Sequence, residues 1–297
     1  MSALVHWLLS LLARLPLSWL QALGALLGRL IYRVSPGFAA RLRENLASSQ
    51  IAGNYQVYEK LVKQVAAETG KGALELAIAW CETPERIARL VRHCSGWEHV
   101  EAALARGDGI VFVTPHLGSY DIAGRYISHR LPFPLTAMYR PPKLAWLEPV
   151  MQAGRSRDKG KTAPATAAGV RILMKALKAG EATIILPDQV PGGGEGVWAP
   201  FFGQPAYTMT LVPRLAQVSG ITTLLFVGER LSGGRGFAVH IRPLPEPFTG
   251  DKAEDAARLN RAVEGLIRTL PAQYLWSYNR YKRPGGVPAP DASQGTA

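Results

Sequence analysis

The chain has 297 residues, a formal net charge of +12 and 47% hydrophobic residues, while only 19% of its residues are charged. This length accommodates one large α/β domain or two small ones with a sizeable core. A surplus of cations in a chain of low charge content favours a negatively charged neighbour, for which nucleic acid, anionic lipid and a phosphorylated substrate are the alternatives. Cys81 and Cys94 lack metal-ligand spacing and are too few for a disulfide framework, so we expect reduced thiols.

The first segment, residues 1–36, is rich in leucine and contains Trp7 and Trp19. No positive region precedes its apolar stretch and no clear cleavage site follows, which argues against a signal peptide. Its longest uncharged stretch, residues 15–28, is shorter than the ~17–25 residues that span a bilayer. We expect a membrane-associating segment that is monotopic or has a single N-terminal span. The alternative is a buried helix pair of a soluble domain.

A strand, a histidine and an aspartate form the central motif of the chain. Residues 110–113 (Ile, Val, Phe, Val) predict a strand buried on both faces, which Pro115 ends. His116 then lies at the carboxyl end of the strand, where open α/β sheets bind ligands. Asp121 follows after four residues and could orient the imidazole as a base. The two side chains can meet only if residues 117–118 form a turn and Ser119 or a neighbour caps a helix; otherwise they are unrelated.

The rest of the chain continues an α/β alternation up to about residue 283. Helices are predicted at 41–80, 85–93, 100–106, 167–179, 209–219 and 253–270, and further strands at 135–139, 183–186, 221–227 and 236–241. Residues 155–161 are expected as a basic loop, and residues 284–297 as a disordered tail. This pattern predicts a single α/β domain, residues 37–283, with a central mixed, mainly parallel sheet flanked by helices.

Glycines and aromatic residues follow the strand at 183–186. The glycines match neither a phosphate-binding loop nor a dinucleotide fingerprint. The aromatic patch of Trp198, Phe201 and Phe202 fits either the core or a wall for an acyl chain.

Four passages in this order resemble one family. They are His116 to Asp121, Met138 to Lys143, Leu186 to Gln189 with Pro200 to Gly203, and Tyr274 to Trp276 with its basic end. From about residue 41 to 283 the chain resembles the bacterial lipid A late acyltransferases, the lauroyl/myristoyl family of the lysophospholipid acyltransferase superfamily. It departs from many members in having Ser119, Tyr120 and Asp121 where they have Asn-Trp-Glu, and this leaves the acceptor open.

The resemblance implies an acyltransferase with a glycerolipid acyltransferase-like sheet. His116 would act as general base, oriented by Asp121, on an acceptor hydroxyl that attacks a fatty acyl thioester of acyl carrier protein or coenzyme A. The implied acceptor is a phosphorylated glycolipid, a lipid A precursor of lipopolysaccharide biosynthesis, at the cytoplasmic face of the inner membrane. The resemblance implies no cofactor, no metal and no nucleic acid partner.

Residues at other strand ends would complete this site. Arg140, or backbone amides near Gly118, are candidates to stabilise the oxyanion. Arg140 and Arg155 would contact the phosphates of the acceptor, or the phosphopantetheine and acidic surface of the carrier protein. Asp188 and Gln189 would bind sugar or order the next loop, and a structural role is the alternative.

Other functions remain open at this stage. The same chemistry could serve another lysolipid or glycolipid acceptor. A thioesterase is disfavoured because the chain has no Gly-x-Ser-x-Gly elbow. A basic protein that binds a membrane or nucleic acid without catalysis would keep its binding in an Asp121→Asn variant, whereas an enzyme would lose its activity.

Overall fold

The computed structural model describes residues 2–139, 146, 148–157 and 159–290. Its α-helices are α1 (Ser2–Arg14), α2 (Leu17–Val34), α3 (Pro36–Ser48), α4 (Tyr55–Cys81), α5 (Pro84–Leu90), α6 (Trp97–Arg106), α7 (Tyr120–Arg130), α8 (Glu148–Arg155), α9 (Ala167–Lys178), α10 (Leu211–Ala216) and α11 (Lys252–Thr269). Its β-strands are β1 (Val91–Ser95), β2 (Gly109–Val113), β3 (Leu135–Tyr139), β4 (Gly160–Pro164), β5 (Ala182–Ile185), β6 (Gly196–Phe201), β7 (Gln204–Met209), β8 (Ile221–Arg230) and β9 (Phe237–Pro243).

Seven strands form the central sheet in the order β1-β9-β8-β2-β5-β3-β4. Neighbours are parallel except β8 and β9, which are antiparallel and joined through a short 3-10 turn at Ser232–Gly234. Such a short connection suits an antiparallel pair, because parallel neighbours need a long crossover. The predicted fold class, one α/β domain with a mixed and mainly parallel sheet, is confirmed. β6 and β7 form a separate antiparallel hairpin.

Hydrophobic layers cover both faces of the sheet, and β2 is buried along its whole length. Val111 and Val113 belong to the cluster that α9, α10 and α11 complete, whereas Ile110 and Phe112 belong to the cluster with α6 and α7. This alternation follows from the two-residue period of a strand. Because β2 is central and packed on both faces, the residues after its carboxyl end start from a rigid support.

Several strands were not predicted from the sequence. The predicted helix 85–93 ends at Leu90, and the chain continues as β1 at one edge of the sheet. The expected loop 155–161 ends inside β4 at the other edge. Edge strands tolerate charged residues and proline because one side of their backbone ladder is unpaired, so neither strand shows a clear hydrophobic pattern.

The N-terminal segment forms two helices with contrasting faces. Within the described residues no single helix is long and apolar enough to cross a membrane; α1 and α2 satisfy the length and composition criteria only as a pair, bent by 120°. One face of α2 packs on α4 so closely that a Cβ atom on Gly28 would lie 2.0 Å from the Ala66 carbonyl oxygen. On the other face Trp19, Leu26 and Val34 are 69%, 62% and 67% exposed. Membrane association therefore stays a prediction.

The C-terminal end follows α11. Residues 284–290 form no helix or strand. The remainder of the predicted disordered tail, residues 291–297, lies outside the described residues.

Candidate active site

His116 lies just beyond β2, and a single carboxylate holds both its ring and its backbone. The His116 Nδ1–H donates to Asp188 Oδ1 over 2.8 Å, and the His116 backbone N–H donates to Asp188 Oδ2 over 2.9 Å. The Asp188 side chain is only 3% exposed. Two bonds from one residue to one carboxylate fix the position of His116 and also the rotation of its ring.

Strand register explains why Asp188 meets His116. β2 and β5 are parallel neighbours in which Val113 pairs with Ile185, and each functional residue follows three positions later. Burial by itself would raise the pKa of Asp188, but the charge and the hydrogen bonds of His116 outweigh burial and lower it. The carboxylate is therefore ionised and accepts the Nδ1 proton, which leaves a lone pair on Nε2.

The Nε2 atom of His116 faces an amide. The Gln189 side-chain NH₂ donates to His116 Nε2 over 3.1 Å. The lone pair that would act as a base is thus accessible to a hydrogen-bond donor and is satisfied by one in this structure. A substrate hydroxyl that donates to the same atom would replace Gln189 and bring its oxygen close to the amide.

The partner predicted for His116, Asp121, lies elsewhere in the site. Its carboxylate accepts three contacts from Arg155, at 3.0, 3.1 and 3.2 Å. The charge of Asp121 raises the pKa of Arg155 despite burial, so the guanidinium stays charged. Tyr120, the neighbour of Asp121 in sequence, packs edge-on against the His116 ring with centroids 5.0 Å apart. The predicted contact of Asp121 with His116 is replaced by an Asp121–Arg155 ion pair.

A turn does form between His116 and Asp121, which was the condition for their contact, but its backbone N–H groups already have acceptors. Gly118 adopts φ +61°, and a Cβ atom there would lie 2.0 Å from the Gly228 carbonyl oxygen, so only glycine fits. The Gly118 N–H donates to the Gln273 carbonyl and the Ser119 N–H to the Gly228 carbonyl. Because both N–H groups already have acceptors, the expected oxyanion donors near Gly118 are not available.

A buried network of ion pairs and hydrogen bonds holds the same turn at Ser119. Ser119 occupies the N-cap position of α7, but its hydroxyl donates to Glu75 instead of capping the helix. Glu75 also accepts from Arg230 at 2.6 and 2.7 Å and from Gln21 at 2.8 Å. Arg230 donates further to Glu68 over 2.7 Å. These residues come from α2, α4 and β8, and no local sequence pattern indicates that they meet.

Two cavities adjoin His116. One, of about 230 Å³, is largely apolar and lies between α4 and the start of α7, where Leu76, Ile122 and Leu275 line it. The other, of about 320 Å³, contains Gln189, Arg155 and three methionines. Those methionines are Met138, Met151 and Met209. A histidine that lines two cavities suits a reaction that joins two substrates.

The remaining predicted residues have other surroundings. Phe201 and Phe202 are buried in the core beside the fully buried Trp276, which favours the core alternative for the aromatic patch. Trp198 packs against Tyr207 of the hairpin. Arg140, together with residues 141–143 of the same motif, lies outside the described residues.

The fold and this site define an α/β protein with a histidine–carboxylate pair at the carboxyl edge of its sheet. The family model for the bacterial lipid A biosynthesis acyltransferases matches residues 1–283. The chain therefore belongs to the bacterial lipid A biosynthesis acyltransferase family, and the predicted class of enzyme, an O-acyltransferase, is confirmed.

Named relatives agree with this membership. The chain is 31% identical over 286 residues to the lipid A biosynthesis lauroyltransferase of Escherichia coli K12, an alignment that covers 94% of this chain and 90% of the relative. It is 30% identical over 230 residues to the lipid A biosynthesis palmitoleoyltransferase of the same organism, with 77% and 74% covered. A lipid A biosynthesis acyltransferase of Haemophilus influenzae is 28% identical over 225 residues, with 74% and 67% covered.

Proposed function

We propose that the protein transfers a fatty acyl chain from an acyl carrier protein or coenzyme A thioester to a hydroxyl of a lipid A precursor. The observation that carries this proposal is His116, which lines two cavities and whose Nδ1 is held by the buried Asp188 carboxylate. Family membership supplies the reaction class, and the geometry supplies the base.

His116 is the general base in this mechanism. As the acceptor oxygen attacks the thioester carbon, its proton moves to Nε2 and the imidazolium that forms is stabilised by Asp188. The tetrahedral intermediate then collapses, the carbon–sulfur bond breaks, and the departing thiolate takes the proton from His116. The ring returns to its starting state, so the proton and the leaving group are both accounted for without any added cofactor.

Two cationic or polar side chains are placed to stabilise the oxyanion. Arg155 lines the same cavity as His116 and is held in one orientation by Asp121. The Gln189 amide donates to His116 Nε2 in this structure, and it would be released close to the reacting oxygen when an acceptor hydroxyl takes its place. Preorganised donors of this kind stabilise developing negative charge without reorganisation during the reaction. Arg140 remains a candidate for the same role.

We assign the methionine-lined cavity to the acyl chain and the cavity along α4 to the acceptor. Methionine side chains are flexible and apolar, which suits a wall that adapts to a hydrocarbon chain. The cavity along α4 lies beside the N-terminal helices, from which a lipid acceptor would arrive. Thus the two substrates would reach His116 from two different cavities.

The exposed apolar face of α1 and α2 supports attachment to the inner membrane at its cytoplasmic face. Trp7 and Trp19 are 57% and 69% exposed, and exposed leucines continue the patch along α2. Arg14 and Arg33 on the same helices would contact anionic headgroups. Since the buried face of α2 packs on α4, this attachment would hold the cavity along α4 near the lipid surface.

The test is acyl transfer from defined carrier-protein and coenzyme A thioesters to a lipid A precursor in anionic vesicles, comparing wild type with His116→Ala. We expect transfer by the wild type, co-sedimentation of both proteins with the vesicles, and at least a ~100-fold loss of rate in the variant. Activity retained by His116→Ala would remove the base from the mechanism. Transfer only to another lipid would retain the mechanism and refute the acceptor.

A further inference from the structure

A basic groove lies between α2 and α4, outside the residues assigned to catalysis. It has a volume of about 770 Å³ and is bordered by Arg29 on α2 and by Lys60, Lys63 and Lys71 on α4. Glu59 and Glu68 are its acidic lining residues. Its surface therefore carries four cations and two carboxylates.

The acidic residues of this groove are already neutralised. Glu59 forms an ion pair with Arg43, and Glu68 accepts from both Lys71 and the buried Arg230. In contrast, no hydrogen bond or ion pair joins the side chains of Arg29, Lys60 or Lys63 to another described residue. The groove thus has three exposed cations in excess, and such an excess favours an anionic ligand with more than one negative group.

The groove adjoins the active site along α4. Glu68 lines both the groove and the cavity that contains His116. Lys63 and Leu76 lie 13 residues apart on this helix, which corresponds to about 20 Å at 1.5 Å per residue. A ligand that fills both spaces must be extended, with its anionic part distant from the atom that reacts.

The opposite rim of the groove borders the exposed apolar face of α2. Leu26 and Leu30 precede and follow Arg29 and are 62% and 49% exposed. An occupant therefore meets cations, apolar surface and the catalytic cavity together. This combination matches a phosphorylated glycolipid whose chains remain near the membrane.

We propose that Arg29, Lys60 and Lys63 form a phosphate-binding site for the acceptor glycolipid and hold it while a distant hydroxyl lies at His116. This inference rests on the proposed function, because it assigns the acceptor to the cavity along α4. The site binds the ground state and the transition state equally, so its loss should raise KM and leave kcat largely unchanged.

The test compares the variant R29Q/K60Q/K63Q with R171Q/K175Q/K178Q. The second set removes one arginine and two lysines from exposed positions on α9, away from the described cavities, and so matches the charge change. We expect the groove variant to raise KM for a bisphosphorylated acceptor at least about tenfold, as each charge-assisted hydrogen bond contributes about that factor. KM for a dephosphorylated acceptor and for the thioester donor should stay near the wild-type values, and the α9 variant should resemble the wild type.

Three outcomes would overturn the proposal. An equal rise of KM for the dephosphorylated acceptor would assign the groove to general lipid attraction, and a rise confined to the carrier-protein donor would assign it to donor docking. An equal effect of the α9 variant would show a response to net charge alone. Direct binding of the phosphorylated and dephosphorylated glycolipids to wild type and groove variant decides the question without any transfer. If the wild type binds the phosphorylated glycolipid selectively but catalyses no acyl transfer, the proposed function is refuted while the phosphate-binding site is retained.

Discussion

Asp188 and Asp121 both belong to the site around His116, but only Asp188 contacts the His116 ring. Asp188 is 3% exposed, follows a central strand and binds one residue twice, at its ring and at its backbone. Asp121 is 14% exposed, lies in the first turn of a helix and binds the guanidinium of Arg155. The contrast shows that a motif can place two residues in one site without making them partners. The partner of a strand-end residue is set by the neighbouring strand.

The largest expected effect that separates the two aspartates is that of Asp188→Asn. An asparagine keeps the size of the side chain, but it has no charge to compensate an imidazolium and only one oxygen for the two N–H groups of His116. We therefore expect kcat to fall about 100- to 10,000-fold with little change in KM. Steady-state kinetics with the lipid acceptor checks this prediction.

Two controls distinguish a loss of catalysis in Asp188→Asn from a loss caused by damaged folding. The thermal midpoint of Asp188→Asn reports whether the buried substitution has affected folding. Asp188→Glu retains the charge and should recover part of kcat, whereas damage to packing would not be repaired by a longer side chain. A smaller loss in Asp188→Asn than in Asp121→Asn would reverse the roles assigned here.

A double-mutant cycle tests the role of Asp121. We expect Asp121→Asn and Arg155→Gln each to lower kcat/KM about 10- to 100-fold, because each breaks the same charge-assisted contacts. The double variant should be little worse than either single one, since residues that act as a pair are not additive. Combining Arg155→Gln with Asp188→Asn should instead multiply the two losses. Asp121 would instead act through His116 if the losses of kcat/KM were additive for Asp121→Asn with Arg155→Gln and non-additive for Asp121→Asn with Asp188→Asn.

The sequence predicted the part of this site that depends on local pattern. The hydrophobic run before Pro115 placed His116 at the carboxyl end of a central strand, and the glycine at position 118 agreed with the turn that follows. The predicted partner was wrong because a spacing of five along the chain says nothing about the neighbouring strand. Pairing residues 110–113 with 182–185 as parallel neighbouring strands would have placed Asp188 beside His116, because each residue follows its strand by three positions.

Other features depend on tertiary contacts that the sequence does not display. Glu75 and Arg230 are 155 residues apart, and each lies in an element whose pattern indicates only a helix or a strand. The edge strands β1 and β4 lack hydrophobic alternation because they are solvated on one side. In contrast, β2 and β5 are buried along their whole length and were predicted within about one residue, because burial on both faces favours hydrophobic and β-branched residues.

The smallest predicted effect is a difference in the pH dependence of stability. The contacts with His116 lower the pKa of Asp188 in the folded protein below its ordinary value of about 3.9, so the unfolded state binds the proton more readily. The contribution of Asp188 to the free energy of unfolding is therefore fully present above that ordinary value and is lost as the pH falls through the lower folded pKa.

We expect the stability advantage of wild type over Asp188→Asn to be constant from pH 5 to about pH 7 and to narrow below about pH 4. Denaturant unfolding of both proteins across this range measures the difference, with Asp121→Asn as the reference for loss of a carboxylate that pairs with Arg155 instead of His116. An advantage that grows as the pH falls would mean that the buried carboxyl of Asp188 is protonated in the folded protein, and Nδ1 would then lack the ionised acceptor that the mechanism requires.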